Sequence, residues 1–262
     1  MPAHFAIFFI VATTFLIINA SPMLAEEGSS VGTQISYSGD TGPDKWGSLN
    51  PAFSACSNGK SQSPVDIVSD KVVLNKNLKP LARQYNSTNS TLVNNGFNIE
   101  LRRGENSGRL VSDGKIYKFT QMHWHSPSEH RINGVQYEGE LHLVHIADDG
   151  SIAVVGILYH IRHPDPLIAK IKSKLSELAD QSSEFHGRGQ VAVGKFSMKQ
   201  LQKNTRKYYR YSGSLTTPPC SETVVWHILG KVSRVGKSPP MTLQCGVRGF
   251  SPWIIQNQEH VS

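Results

Sequence analysis

The heptapeptide FTQMHWH, running from Phe119 to His125, sets two imidazoles one residue apart inside an aromatic and apolar run. Strand side chains alternate between faces. An extended reading therefore sends Phe119, Gln121, His123 and His125 one way, with Met122 and Trp124 the other. Two imidazoles so placed stand about 7 Å apart along one sheet face and can converge on a single cation. A second alternating run, ELHLVH, spans Glu140 to His145. There Glu140, His142 and Val144 share a face, and His145 lies on the opposite one.

Working outward, Thr91–Arg102, Lys115–His125, Val135–Ile146 and Ile152–Ile161 read as strands, separated by Gly104, Gly108, Gly114, Gly134 and Gly150. Tyr208–Tyr211 and Thr223–Lys231 add two more. Strands at this spacing, rich in Val, Ile and Tyr, predict a mainly antiparallel sheet. One helix interrupts them: Asp165 suits an N-cap, Pro166 the first helical position, and Leu167, Ile168, Ile171, Leu175 and Leu178 form its apolar stripe. A shorter helical piece is expected near Ser197–Gln202. Residues 26–64, rich in Gly, Ser, Asn and Pro, read as an irregular wrap. No repeat or linker divides the chain, and 262 residues suffice for one large domain.

The 22 Gly and 14 Pro exclude a helical bundle. A net charge of +7 permits attraction to anions, but the basic residues are scattered except along Lys203–Arg210. No recognition helix or stacking motif accompanies them, so nucleic-acid binding is not expected. Residues 5–19 are apolar and followed by Ala20 and Ala25, which reads as a secretory leader over 1–25. A membrane anchor would need about 20 apolar residues, and no second segment qualifies. The mature chain is thus expected to carry no stable membrane span. Export permits a disulfide, and Cys56, Cys220 and Cys245 allow at most one within the chain. Asn86 and Asn89 each open an Asn-Ser-Thr sequon for N-glycans.

Three neutral imidazoles and one open position form the ligand set of a catalytic Zn²⁺ site. Gln121 and Glu140 are placed to accept from the outer N–H groups of His123 and His142, which fixes each tautomer. Spacing alone leaves two further readings. One is a structural histidine cluster. The other is a cupin, since His123, His125 and Glu129 match the core of its first motif. A cupin also expects glycines where this chain has Tyr117 and Gln136.

More motifs surround the histidines: YSGDTGPDKWG from Tyr37, QSPVDI from Gln62, QMHWHSPSEH from Gln121, ELHLVH from Glu140 and YRYSGSLTTPPC from Tyr209. Together, and in this order, they resemble the α-class carbonic anhydrases of the plant or bacterial exported kind. The resemblance implies a mainly β fold with a few helices (α+β), a single domain around a large twisted, mostly antiparallel central sheet. It makes His123, His125 and His142 the zinc ligands. Thr216 would orient a zinc-bound hydroxide, and Glu129 would accept the Thr216 proton. Val144, Val154, Leu215, Thr217, Val224 and Trp226 would line the substrate pocket, with Cys56 and Cys220 forming a disulfide. The implied reaction is reversible hydration of CO₂ to bicarbonate and a proton. His130 and His145 match supporting positions.

The chain departs from that pattern twice. Phe97 stands where many members carry a proton-shuttling histidine. After about Val232 the family's last strands are replaced by an atypical tail, so the domain is expected over 26–232 and the tail over 233–262. The missing segment normally supplies a backbone carbonyl to the ligand matching His125. The rival reading is therefore a non-catalytic or weakly active binding or storage relative, or an inactive truncated form. Similar plant proteins reach either the extracellular space or, through the secretory route, the chloroplast stroma.

Overall fold

The computed structural model describes residues 34–162, 166–184, 188–202, 205–230 and 233–236. The leader, Asp165, His163, His186, Cys245 and residues 237–262, including His260, lie outside them. Two short helices, α1 (Pro43–Leu49) and α2 (Ala55–Asn58), open the described chain. This corrects the reading of 26–64 as irregular throughout. Pro43 occupies the first turn of α1 with Asp44 beside it, a normal helix start.

The strands follow as β1 (Asp66–Ile67), β2 (Ala82–Tyr85), β3 (Thr88–Asn94), β4 (Ile99–Arg103), β5 (Gly108–Ser112) and β6 (Lys115–His125). Next come β7 (Arg131–Ile132), β8 (Val135–Gln136), β9 (Gly139–Ile146) and β10 (Ile152–Arg162). After helix α3 (Pro166–Glu184) the chain returns through β11 (Gly189–Phe196), β12 (Tyr208–Gly213), β13 (Val224–Leu229) and β14 (Ser233–Gly236). A 3-10 turn at Lys199–Leu201 falls within the short helical piece expected there.

Among the described residues one sheet joins 11 strands, its main path running β11-β3-β4-β6-β9-β10-β13-β12. Its pairings are antiparallel except that β10 runs parallel to β13 and β14. The expected mostly antiparallel sheet is therefore present. Two expected strands are each divided. Thr91–Arg102 reverses at Asn94–Asn98, where Gly96 has φ +98° and Asn95 Oδ1 accepts from the backbone N–H groups of Phe97 and Asn98. Val135–Ile146 breaks before Gly139, and β8 joins β1 and β7 in a separate small sheet.

Each face of the large sheet carries its own core. On one, Leu101, Met122, Trp124, Leu141, Leu143 and Val155 pack with Leu167, Ile171, Leu175 and Leu178 of α3. Burying each such side chain stabilises by roughly 1.5–3 kcal/mol. On the other, Val144, Val154, Leu158, Leu215, Val224, Trp226 and Ile228 form a second cluster. His123, His125 and His142 belong to this second face, where the His142 ring lies against Trp226.

One strand-face expectation is corrected. The β6–β9 register shifts between Phe119 and Gln121, so Thr120 is an extra, bulged residue. The bulge returns Phe119 to the α3 side, paired with His145, in edge contact at 5.3 Å and packed with Met122. Gln121, His123 and His125 keep the opposite face.

Candidate metal centre

Antiparallel pairing of β6 with β9 sets His123 opposite His142 and His125 opposite Glu140. Ring centroids of the three histidines are separated by 5.0 Å, 5.0 Å and 4.6 Å. One nitrogen from each lies within 4.8 Å of the others. All three rings are buried. Burial, followed by the neighbouring imidazoles, holds His123 and His125 well below the usual histidine pKa. Burial also lowers His142, with Glu140 opposing. The rings are thus neutral, the form that binds a metal.

Hydrogen bonds decide which nitrogens face inward. His123 Nδ1–H donates to Gln121 Oε1 at 2.8 Å, and His142 Nε2–H donates to Glu140 Oε1 at 2.9 Å. His123 Nε2 and His142 Nδ1 are left facing one another at 3.2 Å. His125 Nε2 is buried without a hydrogen-bond partner, and its Nδ1 lies 3.4 Å from Glu129 Oε1. Tetrahedral Zn²⁺ with bonds of 2.0–2.1 Å needs ligand nitrogens about 3.3 Å apart. His123 Nε2 and His142 Nδ1 already stand at that spacing, and three neutral imidazoles are a donor set that suits the ion.

Glu140 is the most heavily committed group of the centre. Oε1 accepts from His142 Nε2–H and from His130 Nδ1–H at 2.7 Å. Oε2 accepts from the backbone N–H groups of Glu129 at 3.0 Å and His130 at 2.8 Å. Burial opposes ionisation, yet the facing His130 and His142 hold the carboxyl pKa well below the usual range. His130 Nε2 lies 2.7 Å from the Tyr211 hydroxyl, itself 2.9 Å from Ser63 Oγ. His130, Glu140 and His142 also form a compact ligand-like group, but these hydrogen bonds already close it.

The other expected site residues surround the histidines. Val144, Val154 and Trp226 stand in register across β9, β10 and β13, and share a cluster with Leu215 and Val224. The Trp226 ring lies 4.9 Å from His142 and 4.7 Å from His130. Thr216 is half-buried and Thr217 buried, on the loop after β12. That loop is fixed by Leu215 N–H donating to Ser221 O, Cys220 N–H to Thr217 O, and Trp226 Nε1–H to Ser214 O. The Cys56–Cys220 disulfide closes it onto α2, with a Cα–Cα distance of 5.1 Å. Glu129 Oε2 is 3.9 Å from His142 Nδ1, which puts its carboxylate at the edge of the histidine cluster.

Residues 41–244 match the family model of eukaryotic-type carbonic anhydrases. The chain belongs to this carbonic anhydrase family. It is 42% identical to alpha carbonic anhydrase 2 of Arabidopsis thaliana over 195 residues, 74% of this chain and 78% of that one. It is similar in structure to the α-carbonic anhydrase of Thermovibrio ammonificans solved with sulfanilamide, with TM-score 0.69 and 34% identity, covering 82% of this chain and 89% of that one. Dioscorin solved with ascorbate is also similar, with TM-score 0.72 and 32% identity over 78% of this chain and 84% of that one.

Other residues of this carbonic anhydrase relative stand apart from the centre. His145 lies on the α3 face, 3.1 Å from the Tyr85 hydroxyl, and His227 is buried 2.9 Å from Ser112 Oγ. His160 pairs with Glu138 at the surface. Phe97 packs beside Ile35, Trp46 and Phe53. Asn86 and Asn89 are both exposed. No helix among the described residues is long and apolar enough to cross a membrane. Sequence reading missed Gly156, although a lone glycine within IAVVGILYHI signals close approach of another group.

Proposed function

We propose that this chain binds Zn²⁺ through His123, His125 and His142 and catalyses reversible hydration of CO₂ to bicarbonate and a proton. One observation carries the reading: buried, neutral imidazoles present His123 Nε2 and His142 Nδ1 to each other at 3.2 Å, with unpartnered His125 Nε2 beside them. Lone pairs so arranged repel, and a divalent cation relieves them. When bound, zinc supplies a nucleophile at neutral pH by acidifying a coordinated water.

The protein's own groups do the rest. Gln121 and Glu140 hold the ligand tautomers. Glu129 takes the Thr216 hydroxyl proton as a hydrogen bond, so that Thr216 can only accept from the nucleophile and thereby aims it. Val144, Val154, Leu215, Val224 and Trp226 offer a neutral linear substrate an apolar wall and keep bulk water from it, with Thr217 beside them. Export under a cleaved leader and glycans on Asn86 and Asn89 complete the proposal, which places the protein outside the cell or in the chloroplast stroma.

A second reading, a binding protein on the same scaffold, draws support from the likeness to dioscorin solved with ascorbate. Elemental analysis and CO₂ hydration assays on the purified chain separate them. One zinc per chain, with activity lost to a chelator and restored by zinc, supports the enzyme. Stoichiometric zinc with no hydration supports the binding protein, and absence of zinc sinks the metal site.

A further inference from the structure

Gly156 lies in β10, in register with His142 on β9 and Ile228 on β13. A Cβ at this position would fall 2.9 Å from Glu140 Oε1 and 2.6 Å from Ile228 Cδ1. Both approaches are closer than a carbon tolerates, so each neighbour must give way. Ile228 ends in a flexible methyl. Glu140 has no such freedom, because four hydrogen bonds from His142, His130 and two backbone N–H groups fix both of its oxygens. Shifting that carboxylate leaves at least one buried donor unpaired and releases the direction of the His142 ring.

A second glycine does the same at the far end of this chain of contacts. A Cβ on Gly213 would fall 2.3 Å from Ser63 Oγ and 2.6 Å from Tyr211 Cε2. The sequence of groups Ser63, Tyr211, His130, Glu140 and His142 thus crosses the sheet over two positions that carry no side chain. Gly156 is the one that touches the metal-orienting carboxylate.

We infer that Gly156 is a positioning residue of the metal centre: its absent side chain makes the space in which Glu140 holds His142 for the metal. The inference rests on the zinc reading above. It is tested by the zinc dissociation constant, measured by chelator competition, beside the melting temperature of each metal-free protein. The proteins are wild type, Gly156→Ala and Gly156→Ala/Ile228→Val, the last lacking the Cδ1 atom in the way. The double variant recovers only the part of the melting temperature lost to the Ile228 contact, and its zinc dissociation constant stays about 10–100-fold above wild type. Wild-type zinc affinity in the double variant overturns the inference and makes Gly156 a packing residue only.

A second comparison holds if Gly156→Ala folds poorly. In a Glu140→Asp background the shorter side chain withdraws the carboxylate, so adding Gly156→Ala/Ile228→Val changes zinc affinity less than about threefold. A full loss in that background also overturns the inference. Wild-type protein that takes up no zinc is a different result, because it removes the zinc reading itself.

Discussion

His123 Nε2 and His142 Nδ1 face each other at 3.2 Å while their outer nitrogens donate to Gln121 and Glu140. The inward lone pairs are therefore set by the outward partners. Glu140→Gln replaces a carboxylate that accepts four bonds with an amide whose NH₂ confronts buried donors. Zinc affinity is expected to fall about 10–100-fold, measured by competition with a chelator. Unchanged affinity would show that His142 is oriented by something else.

The Cys56–Cys220 bridge joins positions 164 residues apart and pins the Thr216 loop to α2. Cys56→Ser/Cys220→Ser is expected to cost about 2–5 kcal/mol of stability. Denaturant midpoints of the variant and the oxidised wild type check this. Coincident midpoints would mean that the packing around Ile35, Trp46 and Phe53 holds the two segments without the bridge.

Much of the frame was legible because period-2 alternation is a physical consequence of the pleat. Lys115–His125 was read to the residue, and the α3 stripe at Leu167, Ile171, Leu175 and Leu178 is the buried one. The reading failed where a single residue changes the geometry. Thr120 bulges and turns Phe119 over, and Gly96 folds one expected strand into β3 and β4. Strands β2 and β5 were missed because each is short, and β11 because it takes its partner, β3, from a distant part of the chain. At the site, periodicity could place three histidines on one face. It could not show that Glu140 bridges His130 and His142, nor that Gly156 makes room for it.

Acid should destabilise the fold through two histidines away from the centre. Burial, chiefly, lowers the pKa of His145 from 6.5 to about 3 and that of His227 from 6.5 to about 4. Both are neutral when folded, whereas the unfolded chain binds their protons once pH drops below 6.5. Stability then rises with pH through this window and is lost on descending it. Melting temperature is expected to be level above about pH 7 and to fall steadily from about pH 6.5 towards pH 4. A profile flat across that range would contradict the burial of these two rings. His227→Ile with Ser112→Ala should make the decline shallower.

Phe97 cannot carry a proton, and it packs among Ile35, Trp46 and Phe53. Turnover should therefore rise with the concentration of an imidazole buffer at fixed pH and ionic strength. Phe97→His should weaken that dependence. A wild-type rate indifferent to buffer would mean that protons leave by another path.

The most direct measurement is anomalous X-ray scattering at the zinc edge from crystals of the zinc-treated protein. A single strong peak about 2.0–2.1 Å from His123 Nε2, His125 Nε2 and His142 Nδ1 is the expected result. No peak there, or a peak held by other residues while these three rings stand empty, would contradict the account.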